Sequence, residues 1–553
     1  MSKKGCEVFA DLMHDYGVSH VFYQDAIFRR GLRAAEERYG VKCVMTHSEG
    51  AAGCMADGYA RASGRPGVCM AQSIGSANLA AGIKDAWLAT TPVVAITGKK
   101  PPLYQHRNSY QEAQHKELFE DVTKFNAEVI DTNIQFEFLM RQCFKQAVTG
   151  KPRPTHIDVM GRDAVETDID NIETTLGGEP MYGHYPPYRP MADSELVKKA
   201  AVEIAEAKRP VLVAGRGVNN SNAREILLEL AQKCDIPVLT TPDGKTVIDE
   251  SLPIWGGVVG NYGMNCANQT VRAADLVIYV GTQTSDQVTL DWTAPKPSTR
   301  VIQIDIAAEE LGRSYPNSIG LCGDARAVLE QLMAELAEAK RPEWRAQVAE
   351  NLADTDAKQN EQLAERTEKI HPGALCRELE KVLPDNAALV VDTGYTTIWA
   401  ATMMRLKSTQ RFYRATGNLG WSFPGSIGVK CGDPSRPVVC LTGDGGLFYY
   451  LSEMETLIRC GINTVTVIDN NKVLSACVPQ TEQVFPDKVE EGIRKITFAP
   501  FSYAKIAEEF GLLGIRVEKQ EDIGPAVQKA LESGRPAVVE VMTQSVPHLP
   551  STW

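Results

Sequence analysis

The residues with the clearest chemical potential are Gly443-Asp444-Gly445-Gly446 and, further along, Asn470-Asn471. VVCLT (438–442) and TVTVI (464–468) are apolar and β-branched, so they read as parallel strands ending just before these polar groups. Between them YLSEMETLIRCGI has apolar residues at helical spacing and a plausible C-cap at Gly461. The unit is therefore βαβ, with Asp444 and the asparagines in the crevice outside the carboxyl ends of its strands. Glycines at 443, 445 and 446 let backbone amides come close to a phosphate. The Asp444 carboxylate and the Asn471 amide oxygen suit Mg²⁺, which takes a few protein oxygens together with phosphate oxygens. The constellation describes a diphosphate held through magnesium. Its bland counterpart is a chance turn at each strand end, so independent elements must decide.

Gly-Asp-Gly, 24 intervening residues (446–469) and Asn-Asn is the pattern that marks thiamine-diphosphate enzymes, and the chain resembles them. The resemblance makes Asp444, Asn471 and Val473 the metal set, and these residues with Gly443, Gly445 and Gly446 the diphosphate site. It also gives Glu49 a role, because Glu49 precedes Asp57-Gly58-Tyr59-Ala60-Arg61 at the family's interval. A glutamate there hydrogen-bonds the coenzyme's pyrimidine and promotes the imino tautomer that removes the thiazolium C2 proton. Leu419, in Asn418-Leu419-Gly420, matches the apolar wedge that bends the coenzyme. The whole chain is similar to the acetolactate synthase, pyruvate oxidase and 2-oxo-acid decarboxylase group. GKPRPTHIDV, AGRGVN, IPVLTTPDGK and RVIQIDI most resemble the acetolactate synthase branch. In that group the active site lies between two subunits, which implies a homodimer, often a dimer of dimers.

Departures from the family pattern bear on the substrate. The loop after the asparagines, KVLSACVPQTEQVFP, has Cys477 at the synthases' valine position and Gln480 near their tryptophan position. The glycine-rich loop after the third strand is altered to AQSIGSAN (71–78). Asp25 stands where simple decarboxylases carry a catalytic aspartate. Gln111 matches the synthases' pocket glutamine, with His106 and His115 nearby. An aspartate and a histidine at the thiazolium would handle protons as product leaves or adds; the plainer reading makes both histidines polar surface-loop residues. Lys99, Lys100 and Arg107 would draw an anionic substrate or face solvent, and Cys477 is a pocket thiol or a space-filler. The central AGRG and Asp305 suit an adenine nucleotide. Synthases bind FAD there through a G-x-R-x-x-D-R run, which here reads GTQTSDQ. FAD or ADP is therefore a doubtful expectation in this domain.

The elements that must position these residues follow from composition and pattern. At 553 residues the chain exceeds one core. Apolar content of 43% and charged content of 23% are those of a globular protein, and a net charge of −12 argues against a nucleic-acid partner. Apolar runs have strand rather than membrane-span length. Thirteen cysteines without a CxxC pair suit reduced thiols in the cytoplasm, and MSKKGCEVFADLMHDYG reads as an amphipathic helix rather than a leader.

VSHVFYQ, VKCVMTH, GVCMAQS, PVVAITG and PTHIDVM are the expected strands of a first block. RPVLVAGRG, IPVLTT, ADLVIYVGT and TRVIQIDI form a second, and NAALVVDTG, RPVVCLTGDG, NTVTVIDNN and RPAVVEVMT a third. The fold class is α/β, with three doubly wound parallel-sheet domains over 1–175, 190–340 and 370–553, the first and third being possible copies of one sheet. A Pro-rich linker spans 177–195, and a charged helix or linker precedes the third domain. These observations predict a thiamine-diphosphate- and Mg²⁺-dependent enzyme acting on a 2-oxo acid or ketone, acetolactate synthase-like. A decarboxylase or C–C hydrolase is the alternative favoured by Asp25. A catalytically silent nucleotide-binding paralogue is the alternative from another class.

Overall fold

The computed structural model describes residues 2–25, 27–161, 164–173, 176–316, 318–364 and 369–547. The expected domain limits at 175 and 553, and residues 365–368 before the third domain, lie outside that set. Three six-stranded sheets carry the chain, every pairing within them parallel.

The first sheet contains β1 His20–Tyr23, β2 Lys42–Met45, β3 Gly67–Gln72, β4 Val93–Lys99, β5 Phe125–Glu128 and β6 Thr155–Met160, in the order β2-β1-β3-β4-β6-β5. The second contains β7 Pro210–Ala214, β8 Val238–Thr240, β9 Trp255–Val258, β10 Leu276–Val280, β11 Arg300–Asp305 and β12 Ile319–Cys322, in the order β9-β8-β7-β10-β11-β12. The third contains β13 Ala388–Val391, β14 Arg411–Arg414, β15 Val438–Gly443, β16 Val465–Asn470, β17 Leu513–Val517 and β18 Ala537–Met542, in the order β14-β13-β15-β16-β18-β17. The first and third sheets thus share one strand order, while the middle sheet has the doubly wound order with a switch point between β7 and β10.

All the strands read from the sequence are present. Five others in these sheets, β5, β9, β12, β14 and β17, were not expected, and each is an edge strand; Lys3–Lys4 and Asn171–Ile172 form a further antiparallel pair outside them. The helical run expected between β15 and β16 is present as a helix at Glu453–Cys460, preceded by one helical turn at Asp444–Leu447 and a 3₁₀ turn at Phe448–Tyr450. Consecutive glycines at 445 and 446 favour helix poorly, which lets the segment bend where it leaves the strand. Gly461 caps the helix in the left-handed region at φ 62°. The charged stretch before the third domain is a helix over Pro342–Ala364, tied down by buried Trp344 and Val348.

The first and third domains share a core. One apolar cluster runs from Phe22, Met55 and Tyr59 to Phe423, Ile427, Leu447 and Tyr503. It forms because helix α1, Glu49–Ser63, crosses helix α3, Ser422–Gly432, at glycines. A Cβ on Gly58 would sit 2.1 Å from the Gly425 carbonyl oxygen, and one on Gly428 1.9 Å from that of Met55. Helix α2, Gly75–Leu88, packs alongside α1. No helix among the described residues is long and apolar enough to cross a membrane.

Candidate active site

β15 and β16 pair in register to their last residues, Gly443 opposite Asp469. That register sets Asp444 beside the Asn470-Asn471 turn. Asp444 Oδ1 accepts from Gly445 N at 2.7 Å, Oδ2 accepts from Lys472 N, and its carbonyl oxygen accepts from Tyr503 Oη at 2.8 Å. Lys472 takes a left-handed φ of 67°, which turns the chain so that Asn471 Oδ1 accepts from Val473 N at 3.2 Å. The Asp444 carboxyl is 4% exposed. Burial and the neighbouring Asp469 push its pKa up to about 7. Its three hydrogen-bond partners are backbone N–H groups and the Tyr503 hydroxyl rather than a basic side chain, a donor set that suits a cation. Among the described residues no group of three or more His, Cys, Asp or Glu could hold a metal. A metal at Asp444 would therefore complete its shell with the Asn471 amide oxygen, the Val473 carbonyl oxygen (valine has no other ligand atom) and phosphate oxygens.

Behind this loop stands Asp392, which the sequence reading did not single out. It is fully buried at the end of β13, and burial lifts its pKa to about 6. Both its oxygens accept from Gly420 N at 3.1 Å, and Thr442 Oγ1 donates to Oδ2 at 3.0 Å. One carboxylate thus joins the half-buried Leu419-Gly420 segment to the end of β15. Gly446 lies against it, where a Cβ would fall 2.1 Å from Asp392 Oδ2. A Cβ on Gly443 would meet only Thr396 Oγ1, at 3.5 Å, so space is left above the strand end.

Glu49 is the first residue of α1, where the helix N-terminus favours a negative charge. Asn78 Nδ2 donates to its Oε2 at 3.1 Å, and the backbone of Gly75 runs so close that a Cβ would lie 2.3 Å from Oε1. The altered loop AQSIGSAN is therefore the wall of the Glu49 site.

The Asp57–Arg61 run performs a different task from Glu49. Arg61, on α1, bonds Asp57 and, at 2.8 Å, Asp85 of α2, and its guanidinium stacks 4.1 Å over Trp421. Trp421 Nε1 donates to Asp57 at 2.9 Å. Asp85 Oδ1 in turn accepts from the backbone N–H groups of Thr416, Gly417 and Asn418 at 2.9, 2.9 and 3.0 Å. This buried network latches the Leu419 loop of the third domain to the first. Charge-assisted bonds to a shared carboxylate are the strong kind.

Asp25, two residues past β1, is exposed and paired to Arg29 at 3.1 Å. His106 is exposed, its N–H donating to Glu112 Oε1 at 2.6 Å, and Gln111 is half-buried; both have positive φ, 59° each. Lys99 and Lys100 are buried, and Lys99 pairs with Glu128, so neither is a solvent-facing cation. Arg107, Cys477 and Gln480 are exposed. His115 differs most from a surface-loop reading: it is 2% exposed and bonded through both ring nitrogens.

Models of the N-terminal thiamine pyrophosphate binding domain, the central domain and the C-terminal thiamine pyrophosphate binding domain match residues 3–118, 197–332 and 392–541. A probable acetolactate synthase large subunit of Methanocaldococcus jannaschii is 32% identical over 92% of this chain and 86% of its own. The chain belongs to the thiamine pyrophosphate enzyme family. Another probable acetolactate synthase large subunit, from Methanococcus aeolicus, is 31% identical over 90% of this chain and 85% of its own. A sulfoacetaldehyde acetyltransferase of Castellaniella defragrans is 29% identical over 97% and 92% respectively. Membership makes the chain a thiamine-diphosphate-dependent transferase or lyase and its first and third domains the coenzyme-binding pair.

The family's central domain here has a cleft at the carboxyl ends of β7, β10 and β11, lined by Gly217, Gly281, Gln283 and Asp305. Arg216 and Arg414 both bond Asp243, and Arg414 also donates to Gln287 Oε1 at 3.1 Å. A second cleft adjoins it and shares Tyr185, Arg216, Asn220 and Asp243. Glutamines 283 and 287 line the first cleft, where the family resemblance leads one to expect arginines.

Proposed function

We propose that the enzyme binds thiamine diphosphate through Mg²⁺ and makes or breaks a carbon–carbon bond beside the carbonyl of a 2-oxo acid or related ketone, as acetolactate synthases do. One observation carries the metal-bound coenzyme: a buried carboxyl without a basic partner, Asp444, at the end of β15 beside the Asn471 amide at the end of β16. Asp444, Asn471 and the Val473 carbonyl would hold the metal. Gly443, Gly445 and Gly446 leave room for the diphosphate, Leu419 supports the coenzyme from below, and Glu49 hydrogen-bonds its pyrimidine. The bound coenzyme supplies a carbon nucleophile and an electron sink. Asp25, His106 and Gln111, on the carboxyl-end side of the first sheet, are assigned to binding substrate and moving its protons.

We take 1–175, 190–340 and 370–553 as the three domains and place the enzyme in the cytoplasm, in keeping with its free thiols. The working site is assigned to two copies of the chain, as a homodimer or dimer of dimers. The exposure of two large apolar side chains beside the half-sites supports this, Ile74 at 66% and Tyr449 at 63%. Asp25 past β1 favours a second reading, a decarboxylase or C–C hydrolase. Incubation with pyruvate, Mg²⁺ and thiamine diphosphate separates the two, acetolactate supporting the first and acetaldehyde the second. Absence of CO₂ release across a panel of 2-oxo acids would refute the decarboxylating form of each.

A further inference from the structure

A buried chain of polar groups crosses the first domain and ends next to the Glu49 site. Asn126 Oδ1 meets His156 Nδ1 at 2.7 Å, and His156 Nε2 meets Thr97 Oγ1 at 2.7 Å. Thr97 Oγ1 meets Asp158 Oδ1 at 2.8 Å, Asp158 Oδ1 meets His115 Nδ1 at 2.9 Å, and His115 Nε2 reaches the Ser73 carbonyl oxygen at 3.0 Å. Thr97, His115, His156 and Asp158 are all at most 3% exposed. Phe119 stacks on His156 at 3.8 Å, so the far end of the chain is packed in place. A carbonyl oxygen only accepts, so His115 Nε2 carries a hydrogen and donates it to Ser73.

Ser73 is an unusual residue to receive that bond. Its φ is +45°, a conformation that costs a non-glycine residue about 1–3 kcal/mol and persists only where its surroundings enforce it. Ser73 N donates to Gly98 O at 3.2 Å, and its carbonyl also accepts from Ser76 N at 3.1 Å. The turn held in this way delivers Gly75 against Glu49 Oε1 and Asn78 Nδ2 to Glu49 Oε2.

We propose that His115 is a positioning residue for Glu49: its Nε2–H pins the Ser73 carbonyl, and the left-handed turn so fixed sets Gly75 and Asn78 around the Glu49 carboxyl. Asp158 orients the ring from the other side, and Thr97 and His156 orient Asp158. The proposal rests on the reading of Glu49 as the group that activates the coenzyme.

The test measures hydrogen–deuterium exchange at the thiazolium C2 of thiamine diphosphate in Mg²⁺-saturated enzyme, by quenched-flow NMR. His115→Asn keeps an amide where Nδ1 stood and loses the bond to Ser73; His115→Gln places an amide N–H where Nε2 stood. Asparagine is expected to slow exchange on the order of tenfold to 100-fold, with a lowered melting temperature but a retained fold and little changed coenzyme affinity, and glutamine to restore most of the rate. Exchange at the parental rate in His115→Asn overturns the proposal, and so does a His115→Gln enzyme as slow as His115→Asn. If His115→Asn fails to fold, Ser73→Gly combined with it is the second variant, because glycine holds the turn without the histidine; no recovery of folding and exchange there overturns the proposal too. Glu49→Gln in the same assay separates the layers. Parental exchange in that variant sinks the Glu49 reading itself, whereas slow exchange in Glu49→Gln with parental exchange in His115→Asn sinks only the role of His115.

Discussion

Gly446→Ala tests whether Asp392 holds the coenzyme loop in place. The added methyl would lie 2.1 Å from Asp392 Oδ2 and 3.1 Å from Thr442 Oγ1. Carbon and oxygen need about 3.2 Å, so the carboxylate must retreat by about 1 Å or the turn must open. Either movement stretches the paired 3.1 Å contacts to Gly420 N beyond hydrogen-bonding range. A hydrogen bond to a charged group contributes about 1.5–3 kcal/mol, and overpacking adds about 1–3 kcal/mol. Asp392 is buried with a pKa near 6, so the charged value applies in buffer well above that pH. The loss is expected to appear chiefly in coenzyme binding, because the freed segment carries Leu419. About 2 kcal/mol corresponds to a roughly 30-fold higher Kd. Isothermal titration of the Mg²⁺-loaded variant with thiamine diphosphate measures it, with melting temperature and circular dichroism reporting the fold. A well-folded variant with parental affinity would refute the idea that Asp392 links the Leu419 segment to the diphosphate loop.

Five further outcomes are expected. Glu49→Gln should bind the coenzyme but lose nearly all turnover, and an active variant would remove Glu49 from the mechanism. Gly443→Ala has room for its methyl in the folded chain, so melting should be unchanged while coenzyme affinity falls; equal loss of both, in the same two assays, would contradict the space seen above β15. The Asp444 carboxyl has a raised pKa, near 7, so the folded apoprotein binds a proton that the unfolded chain has released; apoprotein stability should fall as pH rises from about 4 to 7 and level off above it. Mg²⁺ needs the ionised acid, so binding of metal and coenzyme should release a proton and tighten with pH up to about 7, read by titration calorimetry in buffers of different ionisation heat. Protein purified without added cofactor should lack the yellow flavin absorption band, and stoichiometric flavin would overturn the reading of the Gln283–Gln287 cleft.

Sequence alone determined the class of fold, and it put Asp444 and Asn471 at the ends of neighbouring strands. Central strands such as Val438–Gly443 and Val465–Asn470 are covered on both faces, so they must be continuous apolar runs and are visible as such. Asp444 and Asn471 were legible for the same reason: each follows such a strand, and strand ends in parallel sheets are where ligands bind. Five of the six edge strands were not legible, Lys42–Met45 being the exception. Phe125–Glu128, Arg411–Arg414 and Leu513–Val517 have one neighbour each, tolerate Asn, Glu, Arg and Gly, and owe their conformation to that neighbour's ladder. The supports of the site were hidden in another way. Asp85 meets residues 331 to 333 positions away, Asp392 meets Gly420, and His115 meets Ser73 and Asp158. Each of these is an ordinary polar residue in its own segment. It becomes a buried, fully bonded group only when helices cross at glycines and loops from different strands are brought to the same edge, and no local pattern records which distant partner will satisfy it.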